Sequence, residues 1–203
     1  MRGKKRLKEF KIPIISGKYK GKRISIPDTP TTRSSKSILR ESLFNTLQQD
    51  IIGLNFVEVF AGSGSVGLEA LSRGANEVYF IEKDRDVYNI LKKNIEIIDK
   101  ERSKAYNSDS FEIFDTIYNN LKEKGIKSIF YFDPPFNIRE GMEDIYKKSI
   151  DLIEKLKDDF VYMVIVEHFS QIEFPQKIGN LIKIKSRKFG KSTLSYYKRE
   201  DNE

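Results

Sequence analysis

The sequence contains no cysteine and only one histidine, His168, in 203 residues. The lack of cysteine excludes a disulfide framework, a thiolate metal site and a cysteine nucleophile. A single histidine excludes clusters of histidine ligands and argues against a Ser-His-Asp triad, so His168 is interpreted as structural. Long apolar runs are also missing, since stretches such as 161–166 are far shorter than the ~20 residues of a membrane-spanning helix. We therefore expect a cytoplasmic protein with neither a metal nor a membrane partner.

Charge is unevenly distributed along the chain, whose formal net charge is +7. Residues 1–23 contain ten Lys or Arg and one Glu, and residues 177–203 contain eight Lys or Arg and three acids. The middle of the chain is therefore acidic. Basic ends on an acidic centre are typical of a chain whose ends meet a polyanion. Lysine-rich ends can equally serve solubility alone, so charge leaves both interpretations open.

The order of apolar segments indicates the fold class. After two short strands around Gly17 and Gly21, Leu39, Leu43, Leu47 and Ile51 recur at helical spacing. Strands then alternate with helices, and the strands are predicted over 55–60, 77–82, 103–108, 128–133 and 160–168. Two β runs around Gly190 close the chain as a hairpin. The pattern predicts a doubly wound, mostly parallel α/β sheet with a terminal antiparallel hairpin and a short N-terminal β extension.

A glycine-rich turn joins the first core strand to its helix. The segment 60–67 reads FAGSGSVG and has the spacing G-x-G-x-x-G, with Gly62 and Gly64 free to adopt angles closed to other residues. Glu82 ends the next strand, at the place where a carboxylate accepts hydrogen bonds from ribose hydroxyls in doubly wound folds. These features predict a nucleoside cofactor. Alone, they do not distinguish a nicotinamide from S-adenosylmethionine.

The segment 131–136, YFDPPF, decides between these cofactors. An exocyclic base amine is a poor nucleophile because its lone pair is delocalised into the ring. Acceptors aimed at its two hydrogens orient the lone pair and stabilise the charge that develops. Asp133 and the carbonyl of Pro134, held rigid by Pro135, match that need, and Phe136 can stack on a base that has left its helix. The interpretation is transfer of a methyl group to a base amine, a reaction that needs no metal.

The chain resembles the bacterial methyltransferases that modify a guanine N2 amine in 16S ribosomal RNA. The segments that carry the resemblance occur in the family's order and run nearly end to end: 14–24, 32–45, 60–75, 80–85, 107–111, 133–136 and 189–199. The resemblance implies a class I S-adenosylmethionine-dependent, Rossmann-like fold. We expect a basic extension over residues 1–36 and a methyltransferase domain over residues 37–203. The segment SSKS, 34–37, departs from the family, where Pro-Thr-Thr is common.

The resemblance also implies roles for individual residues. The catalytic motif would be Asp133, Pro134, Pro135 and Phe136. The cofactor-binding residues would be Phe60, Ala61, Gly62, Ser63, Gly64, Glu82, Lys83, Ser108 and Asp109. Ribosomal RNA within a small-subunit particle is the expected partner.

The composition of two segments predicts the residues that bind RNA. Lys18, Lys20, Lys22 and Arg23 suit a phosphate backbone and Tyr19 can stack on a base, although an ordinary exposed hairpin is the alternative. Arg33, Lys36 and Arg40 are interpreted as contacting RNA phosphate or helping to close the active site, with a solvated helix face as the alternative.

Two other functions stay open on the sequence alone. A DNA adenine-N6 methyltransferase could use the same acceptor pair. A non-catalytic RNA-binding or assembly factor could keep the fold without turnover.

Overall fold

The structure, a computed structural model, describes residues 7–28, 33–135 and 144–200, and the side chains of these residues except 33–35. The strands are β1 (Glu9–Pro13), β2 (Arg23–Pro27), β3 (Asn55–Glu58), β4 (Val78–Ile81), β5 (Ser103–Tyr106), β6 (Ser128–Phe132), β7 (Val161–Phe169), β8 (Lys177–Ile178), β9 (Leu181–Phe189) and β10 (Ser192–Arg199). The helices are α1 (Arg33–Leu47), α2 (Ser65–Ser72), α3 (Arg85–Ile98), α4 (Ser110–Lys124) and α5 (Ile145–Glu154).

An eight-stranded sheet forms the centre of the protein, in the order β5-β4-β3-β6-β7-β10-β9-β8. The strands from β5 to β7 pair in parallel, and β10, β9 and β8 continue the sheet antiparallel. The predicted fold class, including the terminal hairpin, is confirmed. Among the described residues, no helix has both the length and the apolar composition needed to cross a membrane.

Both faces of the parallel strands are covered, because successive side chains of a strand point to opposite faces. Ile129 and Tyr131 of β6 pack with α1, α2 and α3, whereas Phe130 and Phe132 pack with α4 and α5. The strands are therefore apolar at nearly every position. On β10, the register shifts between Tyr196 and Tyr197, and both tyrosines are fully buried.

The N-terminal hairpin of β1 and β2 forms a separate two-stranded sheet that packs against the main domain. Ile14 and Ile24 belong to the same hydrophobic cluster as α1, α2 and β3. Asn94 of α3 holds β2 through both the N–H and the C=O of Ser25, each at 2.8 Å. The predicted boundary between residues 36 and 37 falls inside α1, so the division into two parts remains an interpretation.

Candidate active site

The strand order reverses direction between β3 and β6. From β3 the chain proceeds to β4 on one side, while β6 lies on the other side. In open α/β sheets, ligands bind beyond the carboxyl ends of the strands at such a switch point. The glycine loop follows β3 and Asp133 follows β6, so both predicted motifs meet at this point.

The glycine loop is shaped by backbone angles and by close packing. Gly62 and Gly64 have φ of 53° and 78°, in the left-handed region that favours glycine. A Cβ on Gly64 would lie 2.4 Å from Leu91 Cδ1, whereas a Cβ on Gly62 would meet nothing within 4 Å. The loop therefore packs tightly against α3 on one side and leaves its backbone open on the other, as a ligand cradle requires.

Glu82 lies directly beside this loop. Its Oε2 accepts a hydrogen bond from the Gly62 N–H at 2.8 Å, and its Oε1 accepts one from the Asp84 N–H at 2.6 Å. Burial raises the pKa of Glu82, and the hydrogen bonds from the Asp84 and Gly62 N–H groups act against burial. Each carboxylate oxygen can accept a further hydrogen bond, so the group is oriented and can still bind a hydroxyl.

The remaining predicted cofactor residues flank Glu82 at the end of β5. Asp109 caps α4 by accepting a hydrogen bond from the Phe111 N–H at 2.9 Å, and its other oxygen accepts one from Lys83 at 2.7 Å. Ser108 Oγ lies 3.5 Å from the Asp109 carbonyl oxygen. Their roles toward a cofactor stay predictions.

A cavity of about 290 Å³ opens between the hairpin, α1 and the glycine loop. The hairpin and α1 form one wall, and the loop after β3 forms the other. The residues that line the cavity are Phe10, Ile12, Pro13, Ile26, Pro27, Lys36, Ser37, Leu39, Arg40, Glu58, Phe60, Ala61, Gly62, Ser63, Ser65, Val66, Asp133 and Glu167. Asp133 and the loop residues Phe60 to Ser63 thus share one cavity, whereas Glu82, Ser108 and Asp109 are not among the residues that line it.

Asp133 belongs to a compact cluster of charged groups in this cavity. Lys36 Nζ lies 3.0 Å from Asp133 Oδ2 and 3.4 Å from Glu167 Oε1. Glu167 is 1% exposed, and its Oε2 accepts a hydrogen bond from the Tyr131 hydroxyl at 2.6 Å. One ammonium therefore lies between two carboxylates that two neighbouring strands present at the same level.

The local environment shifts the proton affinities of this cluster. Burial, reinforced by the charge of Glu167, raises the pKa of Asp133 to about 6, although Lys36 opposes both effects. Burial lowers the pKa of Lys36, but the charges of Asp133 and Glu167 outweigh it and raise the pKa above its usual value. Asp133 is therefore mostly ionised at neutral pH and titrates close to it.

A third acid, Glu58 at the end of β3, lines the same cavity. Its Oε2 accepts a hydrogen bond from the Gly67 N–H at 2.9 Å, which ties the strand to α2. Burial raises the pKa of Glu58 to about 8, and the nearby charge of Asp133 adds to the effect. Glu58 is thus mostly protonated at neutral pH, which lowers the repulsion among the three acids.

Phe136 lies outside the described residues, as does the side chain of Arg33. Of the two prolines of the motif, Pro134 is buried and Pro135 is exposed. The predicted roles of all four residues stay predictions.

Tyr19, one of the predicted RNA-binding residues, is largely buried, and its RNA role stays a prediction. Tyr19 is 9% exposed, its hydroxyl donates to Asp99 Oδ2 at 2.7 Å, and Lys18 and Lys22 lie over its ring. The Tyr19 side chain is thus engaged within the protein, with little surface left for stacking on a base.

The position of this turn also separates it from the cavity. The Lys18 N–H donates to the Ser72 carbonyl, at the end of α2 that lies opposite the glycine loop. Lys18, Lys20, Lys22 and Arg23 are exposed, and their RNA role stays a prediction.

Arg40, another predicted RNA-binding residue, is also largely buried, and its role toward RNA or in closing the active site stays a prediction. Arg40 is 4% exposed and donates to the Pro13 carbonyl at 3.0 Å. Its Nε faces the buried carboxylate of Glu69, which accepts hydrogen bonds from the N–H groups of Ile15 and Ser16. Arg40 therefore fastens the N-terminal hairpin to α1 and α2.

Two acids of the cluster, Glu58 and Glu167, were missed by the sequence analysis. Each is an acid inside an otherwise apolar strand, NFVEVF for Glu58 and VYMVIVEHF for Glu167. Burying a carboxyl group is costly unless it is paired or has a function. That rule is the signal that could have identified both residues.

The family model described as conserved hypothetical protein 95 matches residues 12–198 of the chain. Ribosomal RNA small subunit methyltransferase D of Escherichia coli is 36% identical over 144 residues, which cover 70% of this chain and 67% of that protein.

Solved structures show the same architecture. The structure described as "Putative methyltransferase yhhF from Escherichia coli" is 30% identical, has a TM-score of 0.71 and covers 95% of this chain and 100% of its own. The SAM-dependent methyltransferase from Agrobacterium tumefaciens is 13% identical and has a TM-score of 0.64, with 98% of this chain and 72% of that chain covered. The latter likeness concerns the fold alone.

Proposed function

The chain belongs to the family described as conserved hypothetical protein 95, and on that premise we propose that it transfers a methyl group from S-adenosylmethionine to the exocyclic N2 amine of a guanine in small-subunit ribosomal RNA. The name of the Escherichia coli relative supports the substrate class and the reaction. The observation that carries the proposal is that Asp133 and the glycine loop line the same cavity.

The glycine loop and Glu82 fit S-adenosylmethionine. The open backbone at Gly62 would adjoin the methionine part, and Glu82, already oriented by two N–H groups, would accept hydrogen bonds from the ribose. Asp109 and Ser108 would lie toward the adenine. The bound cofactor supplies a methyl group on a sulfonium, which is activated without a metal.

Asp133 would accept a hydrogen bond from the target amine. A second acceptor, the carbonyl of Pro134, would receive the other hydrogen, and together they orient the lone pair toward the methyl group. Ionised Asp133 also stabilises the positive charge that develops on the nitrogen as the new C–N bond forms. The amine would then pass a proton to Asp133, which accepts its hydrogen bond, and the other product of the transfer would be the neutral thioether S-adenosylhomocysteine.

The proposal is tested by incubating the protein with methyl-labelled cofactor and either naked small-subunit RNA or small-subunit particles. Nucleoside mass spectrometry should detect N2-methylguanosine, and mapping of the label should identify one nucleotide. We propose that a partly assembled particle is the better substrate. Label in N6-methyladenosine, or no label although the cofactor binds in calorimetry, would refute the proposed reaction.

Substitution of Asp133 tests its role in turnover. Asp133→Ala should reduce kcat by a factor of about 10² or more, because removal of one acceptor of a developing charge has an effect of that size. Asp133→Asn keeps one acceptor oxygen and should retain more activity than Asp133→Ala. Asp115→Ala, at an exposed carboxylate on α4 that forms an ion pair with Lys155, is the matched control. Equal turnover by Asp133→Ala and the control would contradict the assigned role.

A further inference from the structure

Glu167 lines the cavity and has no role in the mechanism above. It is 1% exposed and lines the cavity at the level of Asp133, because Phe132 of β6 pairs with Val166 of β7. Its Oε2 is fixed by the Tyr131 hydroxyl at 2.6 Å. Its Oε1 is buried and forms no hydrogen bond within the described residues.

The nearest cation does not explain this oxygen. Lys36 Nζ lies 3.4 Å from Glu167 Oε1, which is longer than a well-formed N–H···O bond, and only 3.0 Å from Asp133 Oδ2. The Lys36 side chain is 45% exposed, so its ammonium can move into solvent when a ligand supplies donors that replace its two ion pairs. A buried acceptor with an incomplete partner is expensive, and a donor from a ligand would satisfy it.

The two carboxylates converge on a single point, now taken by the ammonium. A ligand that replaces Lys36 there must offer two neighbouring N–H donors, one for each carboxylate. The Watson–Crick edge of guanine has this pattern, since its N1–H and its N2 amine are adjacent. Adenine offers its N6 amine beside a bare N1, whose lone pair would face a carboxylate.

We propose that Glu167 Oε1 accepts a hydrogen bond from N1–H of the target base and thereby selects guanine over adenine. The inference rests on the proposed function, in which Asp133 accepts from the reacting amine of the same base. Lys36 holds the two carboxylates in place in the free protein and gives way when the base enters. Glu167 is thus a specificity-determining residue, and Tyr131 positions it.

The test uses an analogue that keeps the reacting amine and lacks the N1 proton. 2-Aminopurine is placed at the mapped nucleotide of a ligated small-subunit RNA, and its kcat/KM is compared with that of guanosine at the same position. The wild type should prefer guanosine by about 100-fold or more, because a site built for a donor rejects an analogue that lacks it. In Glu167→Gln the amide can donate to the bare N1, so the preference should fall to about tenfold or less.

The comparison separates a role in specificity from a structural one. Loss of O6 in 2-aminopurine affects the wild type and the variant alike and cancels in the ratio of ratios. Glu173→Gln, at an exposed acid shortly after β7, is the matched control and should keep the wild-type preference. If Glu167→Gln lowers both rates equally, the proposal is overturned.

A second variant covers the case in which Glu167→Gln does not fold. Tyr131→Phe removes only the hydroxyl that orients the carboxylate, and the preference for guanosine should fall several-fold. An unchanged preference in Tyr131→Phe would then overturn the role of Glu167. If the wild type leaves guanosine unmethylated, the proposed function fails and this inference fails with it. If the wild type methylates guanosine but Glu167→Gln lowers both rates equally, only this inference fails.

Discussion

Replacing Lys36 with Met should shift the pH dependence of the reaction rather than abolish it. The substitution removes the ammonium that lies 3.0 Å from Asp133 and keeps a side chain of similar length. The two other influences on the pKa of Asp133, burial and the charge of Glu167, both favour its protonated form. Without Lys36, nothing in this set opposes them, so the pKa of Asp133 must rise above about 6.

The size of the shift follows from the exposure of the ion pair. Lys36 and Asp133 side chains are 45% and 23% exposed, so water weakens their interaction. A charged hydrogen bond at the low end of its range contributes about 1.5 kcal/mol, which equals roughly one pKa unit. With a pKa near 6, about three quarters of Asp133 is ionised at pH ~6.5, against about one quarter with a pKa near 7.

The assay is the pH profile of kcat/KM, which reports ionisations of the free enzyme. Protonated Asp133 is a poorer acceptor, so activity falls as pH falls through its pKa. Lys36→Met should move this acidic limb upward by about one unit, with a roughly threefold loss at pH ~6.5 and little loss at pH ~8.5. Lys155→Met, which removes the lysine of the Asp115 ion pair, is the control. A limb that stays in place, or a loss that is equal at all pH values, would refute this account.

Two further predictions concern stability. Glu58 has a pKa of about 8 when folded and an ordinary value of 4.5, so the folded protein holds a proton that the unfolded chain loses between these values. As pH rises through that range, Glu58 should therefore lower the free energy of unfolding by up to about 1.4 kcal/mol for each pH unit. Glu58→Gln should flatten the plot of this free energy, measured by urea denaturation, against pH. Parallel plots for the wild type and the variant would contradict the assignment. Gly17→Ala should lower the free energy of unfolding more than Gly21→Ala does. Both glycines have φ of 84°, but only a Cβ on Gly17 would meet a backbone atom, the Ser72 oxygen at 1.9 Å. We expect losses of about 2–4 and about 1 kcal/mol, and equal losses would argue against the packing of this turn on α2.

The alternation of strands and helices could be predicted because each core strand is a short apolar run and each helix has one apolar face. The bounds of the first strand were harder to predict from the sequence, because β1 covers Glu9–Pro13 and not the apolar residues that follow Pro13. Ile14 is buried instead in the turn beyond the strand, on α2. A strand on the rim of the protein is determined by tertiary contacts that local patterning does not contain.

The same distinction applies to the site. Asp133 and the glycine loop were predictable because a motif at the end of a strand lies at a known edge of the sheet. The burial of Tyr19 and Arg40 could not be predicted, because a basic and aromatic composition does not show which of its residues are exposed. Lys36 reaches Asp133 over 97 residues of sequence, and that approach depends on how α1 packs across the sheet.

Three acids in one cavity, two of them buried, are tolerated only because most of their negative charge is removed or compensated. Protonation of Glu58 removes one charge, and Lys36 compensates part of the charge of Asp133 and Glu167, which leaves one net negative charge. Replacing such a cluster by apolar residues would often stabilise a fold, so its presence indicates function rather than stability. When a neutral base takes the place of Lys36, both carboxylates face the amine on which positive charge develops. In the free protein, Lys36 thus holds the two carboxylates in place and compensates part of their charge. The same carboxylates supply the negative charge that the reaction needs at the moment of transfer.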